Sequence, residues 1–301
     1  MTSHVHAPVL FQECLDALAI KPDGVYVDGT FGRGGHSAGI LAHLGAQGRL
    51  VAFDQDAQAI AFGQAKFADD KRVAFVHANF AELASRLIEP VDGILLDLGV
   101  SSPQLDNADR GFSFMQKGPL DMRMNTNAGL TLAERLAQTS LDELTWVLKT
   151  YGEEKFARRI ATAVLAAQQA GGLTDTLSLA EVIAQAQPVK DKYKHPATRS
   201  FQALRIWVND ELGVLQRVLS DAIDQLKPGG RLAVISFHSL EDRLVKQFFR
   251  DQSRGRYDDA LRQVVTEPRV KSLGKVFPSL AETEQNPRAR SAILRVVERL
   301  N

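Results

Sequence analysis

Val25-Tyr26-Val27-Asp28-Gly29-Thr30-Phe31-Gly32-Arg33-Gly34-Gly35-His36 decides the fold of this 301-residue chain. The stretch opens as a short apolar strand and places an acid at that strand's carboxyl end. Four glycines then fall within seven positions. Ser37 to Leu44 reads as the helix that follows. Glycine takes φ > 0 without strain and lets backbone approach a ligand closely. A strand feeding a glycine-rich turn and a helix is how open α/β sheets bind nucleotides.

Outward from this unit the same rhythm repeats. Arg49–Asp54, Val73–His77 and Gly93–Leu98 are short, near-continuous apolar runs, as expected of parallel strands covered on both faces. Helical patterns separate them near residues 37–44, 56–67 and 80–88, and Phe11 to Leu18 reads as an amphipathic helix. Repeated β-α units with right-handed crossovers predict a doubly wound sheet. From about 105 to 215 no strand is expected. Helices are predicted instead over Leu132–Ala137, Leu141–Thr150, Glu153–Gln169, Leu177–Ala186 and Thr198–Leu219. Thr139-Ser140 and Thr176 serve as caps, and Gly171-Gly172 and Pro188 as stops. The β-α rhythm returns with a turn at Lys227–Gly230, a strand at Arg231–Phe237 and a helix at Ser239–Asp251 capped by Ser239. Residues 252–290 read as irregular and basic, and Ser291–Arg299 as a last strand.

The glycine turn departs from the dinucleotide fingerprint G-x-G-x-x-G, because an acid stands directly before its first glycine. That acid would repel a pyrophosphate and suit a ligand with a positive ammonium. Asp54 ends the second strand, where a carboxylate can take both ribose hydroxyls. No Walker lysine follows the glycines. An amino-acid head, a ribose and no phosphate fit S-adenosylmethionine, with a tight βα turn carrying surface carboxylates and a dinucleotide site as the alternatives. The fourth strand runs into Asp97-Leu98-Gly99-Val100-Ser101-Ser102-Pro103-Gln104, at the edge of the sheet where ligands bind. Amino-group methyltransferases carry an Asp/Asn/Ser-Pro-Pro-aromatic motif here. Ser102-Pro103 matches its first half, while Gln104 and Leu105 replace the second proline and the aromatic.

Longer motifs carry a family resemblance. They are Asp-Gly-Thr-Phe-Gly-Arg-Gly-Gly-His (28–36), Leu-Leu-Asp-Leu-Gly-Val-Ser-Ser-Pro-Gln-Leu-Asp (95–106), Arg-Gly-Phe-Ser-Phe (110–114) and Gly-Pro-Leu-Asp-Met-Arg-Met (118–124). Lys-His-Pro-Ala-Thr-Arg-Ser-Phe-Gln-Ala-Leu-Arg-Ile (194–206), Ser-Phe-His-Ser-Leu-Glu-Asp-Arg (236–243) and Asn-Pro-Arg-Ala-Arg-Ser (286–291) follow in order. Over nearly its whole length the chain resembles the bacterial MraW/RsmH family, which methylates N4 of a cytidine in small-subunit (16S) ribosomal RNA. The resemblance implies an α/β fold, a class I (Rossmann-like) methyltransferase sheet domain at 1–104 and 216–301. An all-helical substrate-recognition domain is inserted at 105–215. It implies S-adenosylmethionine bound by Gly34, Gly35, His36, Asp54, Phe80, Asp97 and Gln104. It also implies small-subunit ribosomal RNA or the assembled subunit as partner, and it allows a homodimer.

The catalytic expectation falls on Asp97, Ser102 and Pro103. The exocyclic amine of cytosine is a poor nucleophile and gains from alignment and from a proton acceptor. His36 and His238 read as packing or hydrogen-bonding residues more than as catalysts. RNA contacts are expected from Lys190, Lys192, Lys194, His195, Arg199, Arg205, Arg288 and Arg290. Phe112 and Phe114 pack the insertion or stack on an unstacked base.

Composition sets outer bounds. The chain is 45% apolar and 24% charged, with formal net charge +0, which fits a globular protein. It shows neither a secretory signal nor a run of about 20 apolar residues, so a cytoplasmic location is expected and no membrane partner. Cys14 is the single cysteine. That excludes an internal disulfide and a multi-cysteine zinc site, leaves no metal site in view, and disfavours C5 methylation of a pyrimidine, which uses a cysteine nucleophile. Charge is uneven: residues 1–110 hold 8 basic and 14 acidic side chains, residues 243–275 hold 9 basic and 4 acidic. Other classes weighed against methyl transfer to RNA are a non-enzymatic RNA-assembly protein, a dehydrogenase and a small-molecule methyltransferase. Intact Gly34, Gly35, Asp54 and Asp97 disfavour the first. The large insertion disfavours the last.

Overall fold

A computed structural model describes residues 8–189, 195–258 and 263–301. Contacts divide the chain into two units, Met1–Gly99 with Leu212–Asn301, and Val100–Glu211. In chain order the first unit contains α1 (Phe11–Leu18), β1 (Val25–Asp28), α2 (Gly35–His43), β2 (Arg49–Asp54), α3 (Ala57–Lys66), β3 (Val73–His77), α4 (Leu83–Arg86) and β4 (Val91–Asp97). The second unit carries α5 (Ser102–Asp106), α6 (Leu132–Gln138), α7 (Leu141–Gly152), α8 (Ala157–Gln169), α9 (Thr176–Ala186) and α10 (Ala197–Asn209). The chain returns through α11 (Glu211–Asp224) to β5 (Leu226–Ser236), α12 (Ser239–Arg254), β6 (Arg256–Asp258), β7 (Gln263–Thr266), β8 (Val270–Val276), α13 (Leu280–Gln285) and β9 (Ile293–Arg299).

Seven strands form one sheet in the order β3-β2-β1-β4-β5-β9-β8. β1 to β5 are parallel, and β9 runs antiparallel to both β5 and β8. The order reverses between β1 and β4, which makes their carboxyl ends a topological switch point. This is the class I methyltransferase arrangement, and the expected α/β fold is present. Alternation along β4 shows why its Ile94–Leu96 segment is apolar. Ile94 and Leu96 pack with Leu215, Val218, Val245 and Phe249 of α11 and α12. Leu95 points into the opposite layer with Leu15, Ile40 and Leu41 of α1 and α2. Both faces are covered there, and the acids of β4 stand at its ends, Asp92 bound by Lys21 and Lys227 and Asp97 at the carboxyl end.

The second unit is helical among its described residues and has its own core. Leu132, Leu136, Leu144, Val147, Ile160, Val164, Leu179, Ile183, Phe201 and Leu204 meet there, each almost completely buried. Ser140 caps α7 by accepting from the Glu143 N–H at 3.1 Å.

Several expected boundaries move for local reasons. Asp210 takes a left-handed conformation at φ 49° and divides the expected helix 198–219 into α10 and α11. Glu153 does the same at φ 51°, so α8 starts at Ala157. Asp175, not Thr176, caps α9 by accepting from the Ser178 N–H at 2.9 Å. β5 starts at Leu226 because the Lys227–Gly230 turn is absorbed as a register shift against Val91 and Gly93. The described residues of 252–290 are not irregular: β6 and β7 pair with each other, β8 joins the main sheet and α13 follows. The basic residues hid β8 because an edge strand with lysines reads as a solvated loop.

Candidate active site

The glycine turn is tied to both neighbouring strands. Gly29 N–H donates to the Leu95 carbonyl of β4 at 2.9 Å, and Phe31 N–H to the Phe53 carbonyl of β2 at 2.8 Å. Gly32 N–H donates to Asp54 Oδ2 at 2.8 Å. Thr30 Oγ1 accepts from the Asp97 N–H at 2.6 Å. These bonds bring Asp28, Asp54 and Asp97 together at the carboxyl ends of three adjacent strands.

The glycines serve the protein's own packing. A Cβ on Gly35 would lie 2.3 Å from Pro8 Cγ, one on Gly34 2.5 Å from the Phe31 ring, and one on Gly29 2.5 Å from Leu96 Cδ2. Gly34 also has φ +65°. Close approach of strand, turn and helix therefore demands these glycines, as the third glycine of a dinucleotide turn does. Phe80 packs beside the same turn, its Cβ 3.4 Å from where a Cβ on Gly29 would lie.

The three acids have different surroundings. Asp28 is 1% exposed and turned inward, accepting from Ser37 Oγ at 2.6 Å and Thr30 N–H at 3.1 Å. The sequence reading placed it against a ligand's ammonium; each of its oxygens accepts one bond from the turn or from α2, and the side chain is closed off from solvent. Burial pushes the Asp54 carboxyl up to about 6, against the pull of the Asp56 and Gly32 N–H groups. Each Asp54 oxygen accepts one backbone bond, from Asp56 at 2.8 Å or Gly32, which leaves each a further lone pair. Burial, with Asp28 and Glu241 adding repulsion, pushes Asp97 up to about 8.

At the carboxyl ends of β4 and β5, Asp97 Oδ1 and Ser236 Oγ are buried polar atoms with no hydrogen-bond partner among the described residues, while His238 Nε2 faces Glu241 Oε1 at 3.1 Å. Buried polar groups are nearly always paired, so such atoms at a switch point mark a ligand site. A cation with polar substituents fits it. The acids repel one another until a positive charge joins them, and Asp54 has lone pairs left for hydroxyl donors. S-adenosylmethionine, with its sulfonium, ammonium and ribose, has this donor set, and the residues present fit it.

His36 is 5% exposed, stacks on Phe11 at 6.0 Å, and burial lowers it to about 4. It is neutral at pH 7. His238 caps α12 in place of the expected Ser239, accepting from the Glu241 N–H through Nδ1 at 3.4 Å. Glu241 reciprocates by accepting from the Phe237 N–H at 2.8 Å and the His238 N–H at 3.3 Å. Histidine is outside the usual capping set, so sequence patterns favoured the neighbouring serine. Ser236 and Glu241 were missed as site residues; their place after an apolar strand was the available signal. Cys14 is fully buried, and burial together with Asp97 raises its thiol further above neutrality.

Ser102, Pro103 and Gln104 belong to the helical unit. Ser102 opens α5 with Pro103 beside it, and Gln104 Oε1 accepts from the Ser101 N–H at 3.0 Å as part of a capping box. Phe112 is in that unit's core at 6% exposure. Phe114 lies between His195 at 4.6 Å and Phe201 at 4.9 Å. Arg205 is held bidentately by Glu211 at 2.8 Å and is not a free RNA contact. His195, Arg199, Arg288 and Arg290 are exposed. Lys190, Lys192 and Lys194 lie outside the described residues. No described helix is long and apolar enough to cross a membrane.

Comparison with solved structures includes three matches that span nearly this whole chain and the whole of their own. A protein described as an rRNA methylase from Clostridium thermocellum matches at TM-score 0.48 and 14% identity, over 98% of this chain and 100% of its own. An rRNA methylase from Streptococcus thermophilus matches at 0.46 and 13%, over 99% and 100%. A Streptococcus mutans protein in complex with SAH matches at 0.45 and 12%, over 98% and 100%. A family model described as the MraW methylase family matches residues 3–300. With that match running almost end to end, this chain belongs to the MraW methylase family and is a methyltransferase that uses S-adenosylmethionine.

Proposed function

We propose that the protein methylates N4 of a cytidine in small-subunit (16S) ribosomal RNA, with the sheet unit holding the cofactor and the helical unit recognising the RNA. The observation that carries this reading is Asp97. It is a carboxylate at the end of β4 whose Oδ1 is shielded from solvent and has no partner among the described residues.

Bound S-adenosylmethionine supplies an electrophilic methyl group and leaves as a neutral thioether. The exocyclic amine must lose a proton as its new bond to carbon forms. Asp97 is the acceptor for that proton, directly or through water, and the Ser102-Pro103 segment positions the amine. A group pushed up to about 8 stands near the operating pH, where proton transfer in either direction is efficient. His36 acts as a neutral hydrogen-bonding wall, since burial holds it near 4. Gly34, Gly35, Asp54, Phe80 and Gln104 complete the cofactor set. Cys14 is too buried and too weakly acidic to attack a pyrimidine ring, which supports an amine acceptor over C5.

Nucleoside mass spectrometry of small-subunit RNA from cells with and without the protein tests this function. N4-methylcytidine should vanish with the protein. Its persistence at the normal level would overturn the proposal.

A further inference from the structure

α12 carries charge that methyl transfer does not use. Its second half turns Lys246, Phe249, Arg250 and Arg254 toward an open groove of about 260 Å³, whose other side is Ser272 and Gly274 of β8. The three cations recur every four residues, so they share one helix face about 6 Å apart along the axis. Phe249 is 4% exposed and forms the floor. Gly274 has φ +102° with nothing within 4 Å of a Cβ built on it, so that side stays low.

The cations are largely uncompensated. Arg295, also at the groove, is bound bidentately by Asp242 at 2.7 and 3.1 Å. Arg250 meets Asp251 at 3.2 Å, but both are half exposed, and such surface pairs contribute little. Lys246 and Arg254 have no carboxylate partner among the described residues. Lysines on an exposed edge discourage strand pairing, which accounts for Lys271 and Lys275 on β8 itself. It does not account for a row of three cations on the helix beside it, in a chain whose formal net charge is +0.

We propose that this groove holds the sugar–phosphate backbone of the RNA substrate; the inference rests on the RNA reading above. A row of lysine and guanidinium groups beside small residues fits an extended polyanion, and guanidinium forks match phosphate oxygens. Such contacts set register without reading sequence. α12 starts at the sheet's ligand edge, and Arg254 lies about 22 Å further along it. The groove therefore grips RNA on the flank of the sheet, remote from the base that is methylated.

The test compares the wild type with Lys246→Gln/Arg250→Gln/Arg254→Gln and with the charge-preserving Lys246→Arg/Arg250→Lys/Arg254→Lys. Binding to small-subunit ribosomal RNA is measured across salt concentrations, and S-adenosylmethionine affinity and circular dichroism check the fold. The neutral variant should lower the slope of log K against log salt by about 2 to 3 and weaken low-salt binding on the order of 10- to 100-fold. The charge-preserving variant should keep the slope, and both should bind the cofactor normally. An unchanged slope in the neutral variant overturns the groove while leaving methylation of RNA intact. A wild type that neither binds nor methylates this RNA overturns the functional reading and the groove with it.

Discussion

His36 Nε2 lies 3.6 Å from Asp97 Oδ2, and at neutral pH neither member of the pair is held in its charged form. Burial lowers the imidazole to about 4 and raises the carboxyl to about 8. This contact is not a salt bridge but a neutral contact waiting for a cation. A bound sulfonium and ammonium would favour ionised Asp97 and expel its proton. Affinity for S-adenosylmethionine should therefore rise as pH increases toward about 8 and level off above it, with proton uptake by the buffer below that point. Calorimetry in buffers of different ionisation enthalpy measures this. Affinity independent of pH between 6 and 9 would contradict it.

The same carboxyl weakens the free protein. Its folded value lies above the unfolded value of about 3.9, so its stabilising proton is fully present below that value and is lost as pH rises through about 8. Asp97→Asn removes this dependence. At pH 8.5 the variant should melt higher than the wild type in the absence of cofactor, by about 2–4 °C for each kcal/mol of repulsion relieved. It should also lose methyl transfer by at least about 100-fold. Identical melting of the two proteins at pH 8.5 would show that Asp97 is not strained.

Much of the site was legible in the sequence because it depends on spacing along single strands. Asp28, Asp54 and Asp97 each end an apolar run, and parallel strands bring such ends to one edge whatever the intervening helices do. Two kinds of feature were not legible. The inward turn of Asp28 depends on Ser37 returning to it from α2, and Ser37 looks like any helix-start serine. β8 depends on pairing with β9, whose partner cannot be chosen from a run in which Lys271 and Lys275 alternate with Leu273 and Gly274. His238 was visible but was assigned to the wrong neighbour's task, since capping preferences rank serine above histidine.

Glycines in the turn separate packing from ligand contact experimentally. Gly35→Ala drives a methyl group into Pro8, 2.3 Å from its Cγ. Overpacking of this kind costs about 1–3 kcal/mol. The melting temperature without cofactor should fall, and Pro8→Ala, which deletes that Cγ, should recover part of the loss in the double variant. A Gly35→Ala protein with wild-type melting and only weakened cofactor binding would instead make Gly35 a ligand-approach glycine.

Asp54 gives the complementary result, loss of binding with modest loss of stability. Its oxygens accept from the Gly32 and Asp56 N–H groups and each keeps a further lone pair. Asp54→Ala should raise the KM for S-adenosylmethionine by at least about 100-fold, since two charge-assisted hydrogen bonds to hydroxyls contribute about 1.5–3 kcal/mol each net of exchange with water. kcat at saturating cofactor should change much less, because ribose contacts hold ground state and transition state alike. With its carboxyl raised to about 6, the wild type should show a KM that climbs as pH drops below 6, and Asp54→Asn should flatten that climb. A variant that lowers kcat and leaves KM untouched would assign Asp54 to the chemical step rather than to the ribose.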